Sequence, residues 1–220
     1  MPVLLPVGRL DAGRPQSWAP VTAALALTCV AVFVGLQDAG RAAGWTRALG
    51  VVPADLLAGG AGWPALTLAT SLVSHASWPH LLYNLAALWV FGTAVERSVG
   101  GARFAALFLA GGVLATLAQV ALWPASEVPV VGASGAVAAV AGAFAVAFPR
   151  ARVVVAAVFL TLPVPVWVAL GVWAAVEAAA ALVAVGGAGG AGGVAHGAHV
   201  AGLVVGVSVM AVAGRGRAAP

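Results

Sequence analysis

Six times between Trp18 and Ala213 the chain runs for close to twenty residues with almost no charge, and this decides the solvent it can fold in. A helix needs ~20 apolar residues to cross a hydrocarbon core ~30 Å thick. The runs are Trp18–Gln37, His80–Ser98, Ala102–Trp123, Gly132–Phe148, Pro165–Val185 and Val194–Ala213. A soluble domain would need roughly a quarter of its residues charged. Here 7% are charged and 63% are hydrophobic, with a mean hydropathy of +1.08. The expected class is therefore all-α: a polytopic membrane bundle of six helices over residues 18–214. Residues 1–17 read as a cytoplasmic N-terminal segment and 215–220 as a short cytoplasmic tail. A pI near 11.1 could point to nucleic acid, but the ten basic residues are all arginines scattered beside apolar runs, which excludes that partner. A single cysteine, Cys29, rules out an intrachain disulfide. The lack of Lys and Ile fits GC-rich coding and a bacterial source.

Arginines set the expected orientation, because cytoplasmic loops carry the positive excess. With the N-terminus inside, Arg9, Arg14, Arg97, Arg103, Arg150, Arg152, Arg215 and Arg217 lie on the cytoplasmic side, and only Arg41 and Arg47 lie outside. The sequence thus reads as a multi-pass protein of the cell membrane with both termini cytoplasmic. The stretch Asp38–Trp78 is too long for a turn. Its Trp45, Leu49, Leu56, Leu57 and Trp63 among glycines suit a loop lying in the membrane interface. Gly186–Gly193, nearly all Gly and Ala, reads as a flexible loop.

Polar groups within spans are costly and tend to mark function. The histidines form two clusters, His75 with His80 and His196 with His199, and Asn84 is the chain's one asparagine. Ser134 stands sixteen residues before Arg150, His199 sixteen before Arg215, and His80 seventeen before Arg97. At 1.5 Å per residue each lies roughly 24–26 Å above the cytoplasmic edge. Three helices thus bring Ser134, His199 and the His80/Asn84 pair to one layer, just below the outer surface. A serine hydroxyl needs a base within hydrogen-bond reach, and histidine is the usual one near neutral pH. Asn, His and a backbone N–H can supply donors to a tetrahedral oxyanion. No acid occupies an obvious third position, so the chemistry reads as a Ser–His dyad. Glu177 in the fifth run has no assigned role. Small residues at helical spacing, Ser134, Ala138 and Gly142 against His199, Gly202 and Gly206, would let two membrane helices approach closely.

These segments resemble the rhomboid family of intramembrane serine proteases. His75-Ala-Ser-Trp-Pro-His80-Leu-Leu-Tyr-Asn84 is similar to the family's second-helix motif, Gly132-Ala133-Ser134-Gly135 to its GxSG nucleophile motif, and Ala198-His199-Val-Ala-Gly202-Leu-Val-Val-Gly206 to its AHxxGxxxG sixth-helix motif. Phe91-Gly92-Thr93-Ala94-Val95-Glu96-Arg97 resembles the end of the family's helix two. The resemblance implies metal-free proteolysis of transmembrane protein substrates within the lipid bilayer, without a cofactor. It implies Ser134 as nucleophile, His199 as base, and His80, Asn84 and the Ser134 N–H as oxyanion donors. His75, His196, Gly132, Gly135, Gly202 and Gly206 are then supporting residues. Two positions depart from the pattern. Where many relatives carry an aromatic residue four after the serine, this chain has Ala138. Where some carry a Trp-Arg pair in the first loop, it has Trp63-Pro64. The alternative reading is a catalytically silent rhomboid-like protein that binds membrane helices, and His80 and Asn84 could simply tie the first loop to helix two.

Overall fold

The computed structural model describes residues 4–6, 18–37, 42–59, 63–157, 160–186 and 194–215. Its elements, in order, are β1 (Leu4–Pro6), α1 (Pro20–Val32), α2 (Ala42–Leu49), α3 (Pro53–Leu57), α4 (Trp63–Thr70), α5 (Trp78–Ala87), α6 (Thr93–Val99), α7 (Gly101–Leu122), α8 (Ser134–Ala147), β2 (Arg152–Ala157), β3 (Leu160–Pro165), α9 (Val166–Gly186) and α10 (His196–Arg215). A π-helical turn, Phe33–Gln37, prolongs α1, and another, Leu88–Gly92, joins α5 to α6 in one helical run. Four helices are long and apolar enough to cross a membrane by length and composition: Pro20–Gln37, Gly101–Leu122, Val166–Val185 and His196–Ala213. The chain is a helical, multi-pass membrane protein. Residues 78–99 and the fourteen-residue α8 coincide with the two remaining apolar runs read from the sequence.

The ends of these helices have local causes. α1 opens with Pro20, which needs no N–H partner in the first turn. Its next N–H groups are met by Glu96: Val21 and Thr22 donate their backbone N–H to the carboxylate at 2.9 and 2.7 Å, and the Thr22 hydroxyl donates at 2.7 Å. The motif-bearing end of residues 78–99 is thus a cap for another helix. α5 begins two residues earlier than the apolar run, because Ser77 caps it by accepting the His80 N–H and a proline fills its first turn.

The stretch Asp38–Trp78 is more ordered than a loop. Among its described residues it holds α2, α3, α4 and a 3-10 turn, Ser71–Val73. Trp63, half of the departing pair, donates its indole N–H to the Ala48 carbonyl at 3.0 Å and so ties α4 to α2. Of the Gly-rich stretch, residues 187–193 lie outside the described residues. A small antiparallel sheet in the order β1-β2-β3 sits at the α8–α9 connection, with Arg152 opposite Pro165 and Leu5 opposite Val154. The apolar patterning gave no sign of it.

The core lies around α8. Every residue from Gly135 to Phe144 is buried. Phe104 and Phe108 of α7 and Leu88 and Phe91 of the second π turn pack around it, with the Phe91 and Phe144 rings edge to face at 5.2 Å.

Candidate active site

The segment that leads into Ser134 is held before the helix starts. Val51 and Val130 exchange two backbone hydrogen bonds, at 2.9 and 2.7 Å. Arg47 donates to the Glu127 carbonyl at 3.0 Å and pairs with Asp55 at 3.2 Å. The Gly132 N–H donates to the Ser71 carbonyl at 2.9 Å. Gly132 takes φ +116°, a region L side chains rarely adopt. A Cβ there would also fall 2.6 Å from the His80 ring and 3.6 Å from Ser134 Oγ. The glycine therefore keeps open the space between ring and hydroxyl. Ser134 is the first residue of α8, where backbone N–H groups have no carbonyl one turn back to bond.

His199 reaches the serine because α8 and α10 touch backbone to backbone. A Cβ on Gly202 would run into the Gly135 carbonyl, one on Gly206 into the Ala139 carbonyl, and one on Gly142 into the Leu203 carbonyl. On the opposite flank, Gly111 and Gly112 of α7 sit against Ala139 and Ala136. The small-residue spacing read from the sequence is thus a real seam. Across it His199 Nε2 lies 2.8 Å from Ser134 Oγ, with His199 almost fully buried.

Sequence reasoning missed the other side of His199. Its Nδ1 lies 2.8 Å from Glu177 Oε2, and His196 Nδ1 lies 2.7 Å from the same oxygen. Glu177 is only 3% exposed. One turn earlier on α9, Trp173 stacks on the His199 ring at 5.8 Å and 30°. The ring that Ala138 does not supply therefore comes from another helix. Spacing hinted at this, since residues four apart share a helix face. Depth could not be counted, because no arginine stands between Arg152 and Arg215 to mark the ends of α9.

The residues expected to serve an oxyanion are placed less uniformly. His80 lies beside Gly132, and its ring meets that of His75 edge to face at 5.1 Å. Asn84 is buried, and its amide donates to the His80 carbonyl at 3.0 Å, so this bond serves the helix. His75 is a strut: its N–H donates to Gln37 Oε1 at 2.8 Å, and Gln37 Nε2 donates to Ser74 Oγ at 2.6 Å. Burial, with His80 alongside, pushes its imidazole down to about 4, so it is neutral near pH 7. Among the described residues neither His75 ring nitrogen has a hydrogen-bond partner. Gly197 is pressed against Leu122 and Gln119 of α7, and Gln119 Oε1 accepts the Ala198 N–H at 3.2 Å, fixing the start of α10.

A family model described as the Rhomboid domain matches residues 62–216, well over half of the chain. The chain belongs to the rhomboid family. It is 40% identical over 96 residues to "Rhomboid protease GluP" of Bacillus subtilis (strain 168), covering 44% of this chain and 18% of that protein. It is 32% identical over 148 residues to "Rhomboid protein 1, mitochondrial" of Saccharomyces cerevisiae, covering 64% of this chain and 40% of that one. "Putative rhomboid protease YdcA" of Bacillus subtilis (strain 168) is 34% identical over 77 residues, 35% of this chain and 38% of that protein. The matches thus span less than half the length of each of these relatives.

In this rhomboid a hydroxyl, an imidazole and a carboxylate are aligned, which suits proton transfer away from the serine. Glu177, His196 and His199 also bring one ligand atom each within 4.8 Å of one another, a set that could hold one metal ion. Such an ion on His199 Nδ1 would leave the ring proton on Nε2, and the serine would lose its acceptor.

Proposed function

We propose that this rhomboid is an intramembrane serine endopeptidase that cuts transmembrane protein substrates, with Ser134 as nucleophile and His199 as base. The 2.8 Å contact between Ser134 Oγ and His199 Nε2, at the half-buried start of a helix in an apolar bundle, carries the reading. Ser134 Oγ attacks the scissile carbonyl carbon while its proton passes to His199 Nε2. The tetrahedral oxyanion is met by His80, Asn84 and the Ser134 N–H. Collapse releases the amine, which takes the proton from His199, and leaves an acyl-enzyme. Water then attacks the ester carbonyl while giving a proton to the same nitrogen, and His199 passes that proton to Ser134 Oγ as the acid product leaves.

Six spans over residues 18–214 go with this reading, together with an N-terminal segment 1–17 and a tail 215–220, both cytoplasmic, in the cell membrane. The site then lies near the outer face, and cleavage falls within about two turns of that end of a substrate span. A regular helix hides its carbonyls in hydrogen bonds, so the scissile stretch must unwind first. Gly, Ala or Ser there favour cutting.

The test uses the purified protein in vesicles with a single-span peptide rich in Gly, Ala and Ser at one end, read by mass spectrometry. Ser134→Ala and His199→Ala should each remove cleavage with the fold intact, and the two losses should not add, since the residues act as a unit. Near wild-type activity in either variant would overturn the Ser134–His199 pair, whereas a wild-type protein that cuts nothing would leave the catalytically silent, helix-binding alternative.

A further inference from the structure

The reaction above uses one nitrogen of His199, while the other is bound to an acid on a different helix. We infer that Glu177 is a positioning residue for His199, so that the site works as a Ser134–His199–Glu177 triad with His196 steadying the carboxylate. The inference rests on the serine-protease reading and adds a third residue to it.

An ionised carboxylate only accepts hydrogen bonds. With His196 Nδ1 at 2.7 Å and His199 Nδ1 at 2.8 Å from one Glu177 oxygen, both imidazoles must place a proton on Nδ1. For neutral His199 this leaves the Nε2 lone pair facing Ser134 Oγ, the tautomer a base requires. When the serine proton arrives, the resulting imidazolium lies against a carboxylate in a water-poor site, where the attraction is strong. A carboxylate buried this deeply is costly unless several donors satisfy it. His196 supplies the second donor from the next turn of α10 and keeps about a quarter of its own side chain exposed. Trp173, on the Glu177 face of α9, stacks on the same imidazole and limits its rotation. Residues of α9 thus fix both the plane and the proton of a histidine carried by α10.

A strut between α9 and α10 would use the same contacts, so the test must separate strut from triad. Glu177→Gln keeps size and polarity, but its amide N–H₂ offered to Nδ1 favours the wrong tautomer. The corresponding exchange in the soluble serine-protease triad costs about 10⁴ in kcat. The full chain in phosphatidylethanolamine/phosphatidylglycerol vesicles is assayed with the same single-span peptide and with a fluorophosphonate label. Glu177→Gln should lower kcat and labelling by about 10²–10⁴ with KM within about threefold. Glu177→Asp should restore at least about tenfold over Gln, since the acceptor returns. Ring ¹⁵N NMR of the Ser134→Ala protein should find the His199 proton on Nδ1, a readout that needs no change at Glu177. A Glu177→Gln protein within threefold of wild-type kcat, or a His199 proton on Nε2, would overturn the triad. If Ser134→Ala is then inactive, the serine-protease reading stands alone. A wild-type protein inert to both peptide and label would overturn both.

Discussion

The α8–α10 seam and the α9 flank meet at the same histidine but hold it by different physics. Along the seam, three glycines bring backbone against backbone, and the whole stretch Gly135–Phe144 is buried. On α9, Val172, Val176, Leu182 and Val183 are exposed, the last at 76%, and Gly171 faces open space. That helix reaches the site through one turn, Trp173 to Glu177. The serine–histidine distance is thus set by hard steric contact, and the orientation of the histidine by one stacked ring and one carboxylate. Steric contact tolerates no added atom, whereas a helix held at a few points can accept one.

The largest difference should appear when a side chain is added on each side. Gly206→Val drives Cβ into the Ala139 carbonyl, which belongs to backbone and cannot turn aside. Overpacking of this kind typically costs about 1–3 kcal/mol. Displacing His199 from Ser134 by ~1 Å can cost ~10²-fold in rate. Gly206→Val should therefore lose at least about 10² in kcat and unfold at a lower temperature in detergent. Gly171→Ala adds its Cβ to open space and gains helix propensity of ~0.5–1 kcal/mol, so its activity should stay within about twofold. Equal behaviour of the two variants would mean that the seam is not the rigid side.

The seam was legible in the sequence because its parts carry their own coordinates. Arg150 and Arg215 mark the ends of the helices that hold Ser134 and His199, so their common depth could be counted. The small residues at three- and four-residue spacing then face each other for packing reasons alone. The helix limits followed from the apolar runs to within about two residues, with capping by Ser77 and Glu96 explaining the shifts at the starts of α5 and α1. The α9 flank was not legible. Its apolar run has no charged end marks, and whether an acid faces lipid or the bundle depends on a rotation that a near-uniform apolar helix does not encode. The short helices α2 to α4 were hidden for a related reason: the glycines in and between them read as loop, while tertiary ties such as Trp63 to Ala48 and Val51 to Val130 hold them.

A smaller effect is expected from the stacked ring. An aromatic pair contributes about 0.5–1.5 kcal/mol beyond its buried area, which is roughly two- to tenfold in rate if it acts on the His199 orientation. Trp173→Ala should lower kcat within that range, and Trp173→Phe should recover most of it. KM should change little, because the ring acts through the orientation of the His199 imidazole on which it stacks. A loss as large as that of Gly206→Val would show that α9 fixes the site as firmly as the seam does.

The smallest expected effect is none, and it tests what kind of tie α9 makes. Glu177, His196 and His199 have the donor types and proximity to hold a metal ion, so a metal bridge and a hydrogen-bonded bridge compete for the same atoms. They differ in where the His199 proton sits. In the hydrogen-bonded form Nδ1 carries it and Nε2 accepts from Ser134 at 2.8 Å. With zinc on Nδ1, neutral imidazole keeps its proton on Nε2, and the base is lost. Removing metal can then only help or do nothing. Treatment with EDTA should leave peptide cleavage within about twofold, and added Zn²⁺ should not raise it. Loss of cleavage on chelation, restored by Zn²⁺, would mean that a metal rather than two N–H donors joins α9 to α10, and that His199 is not the base.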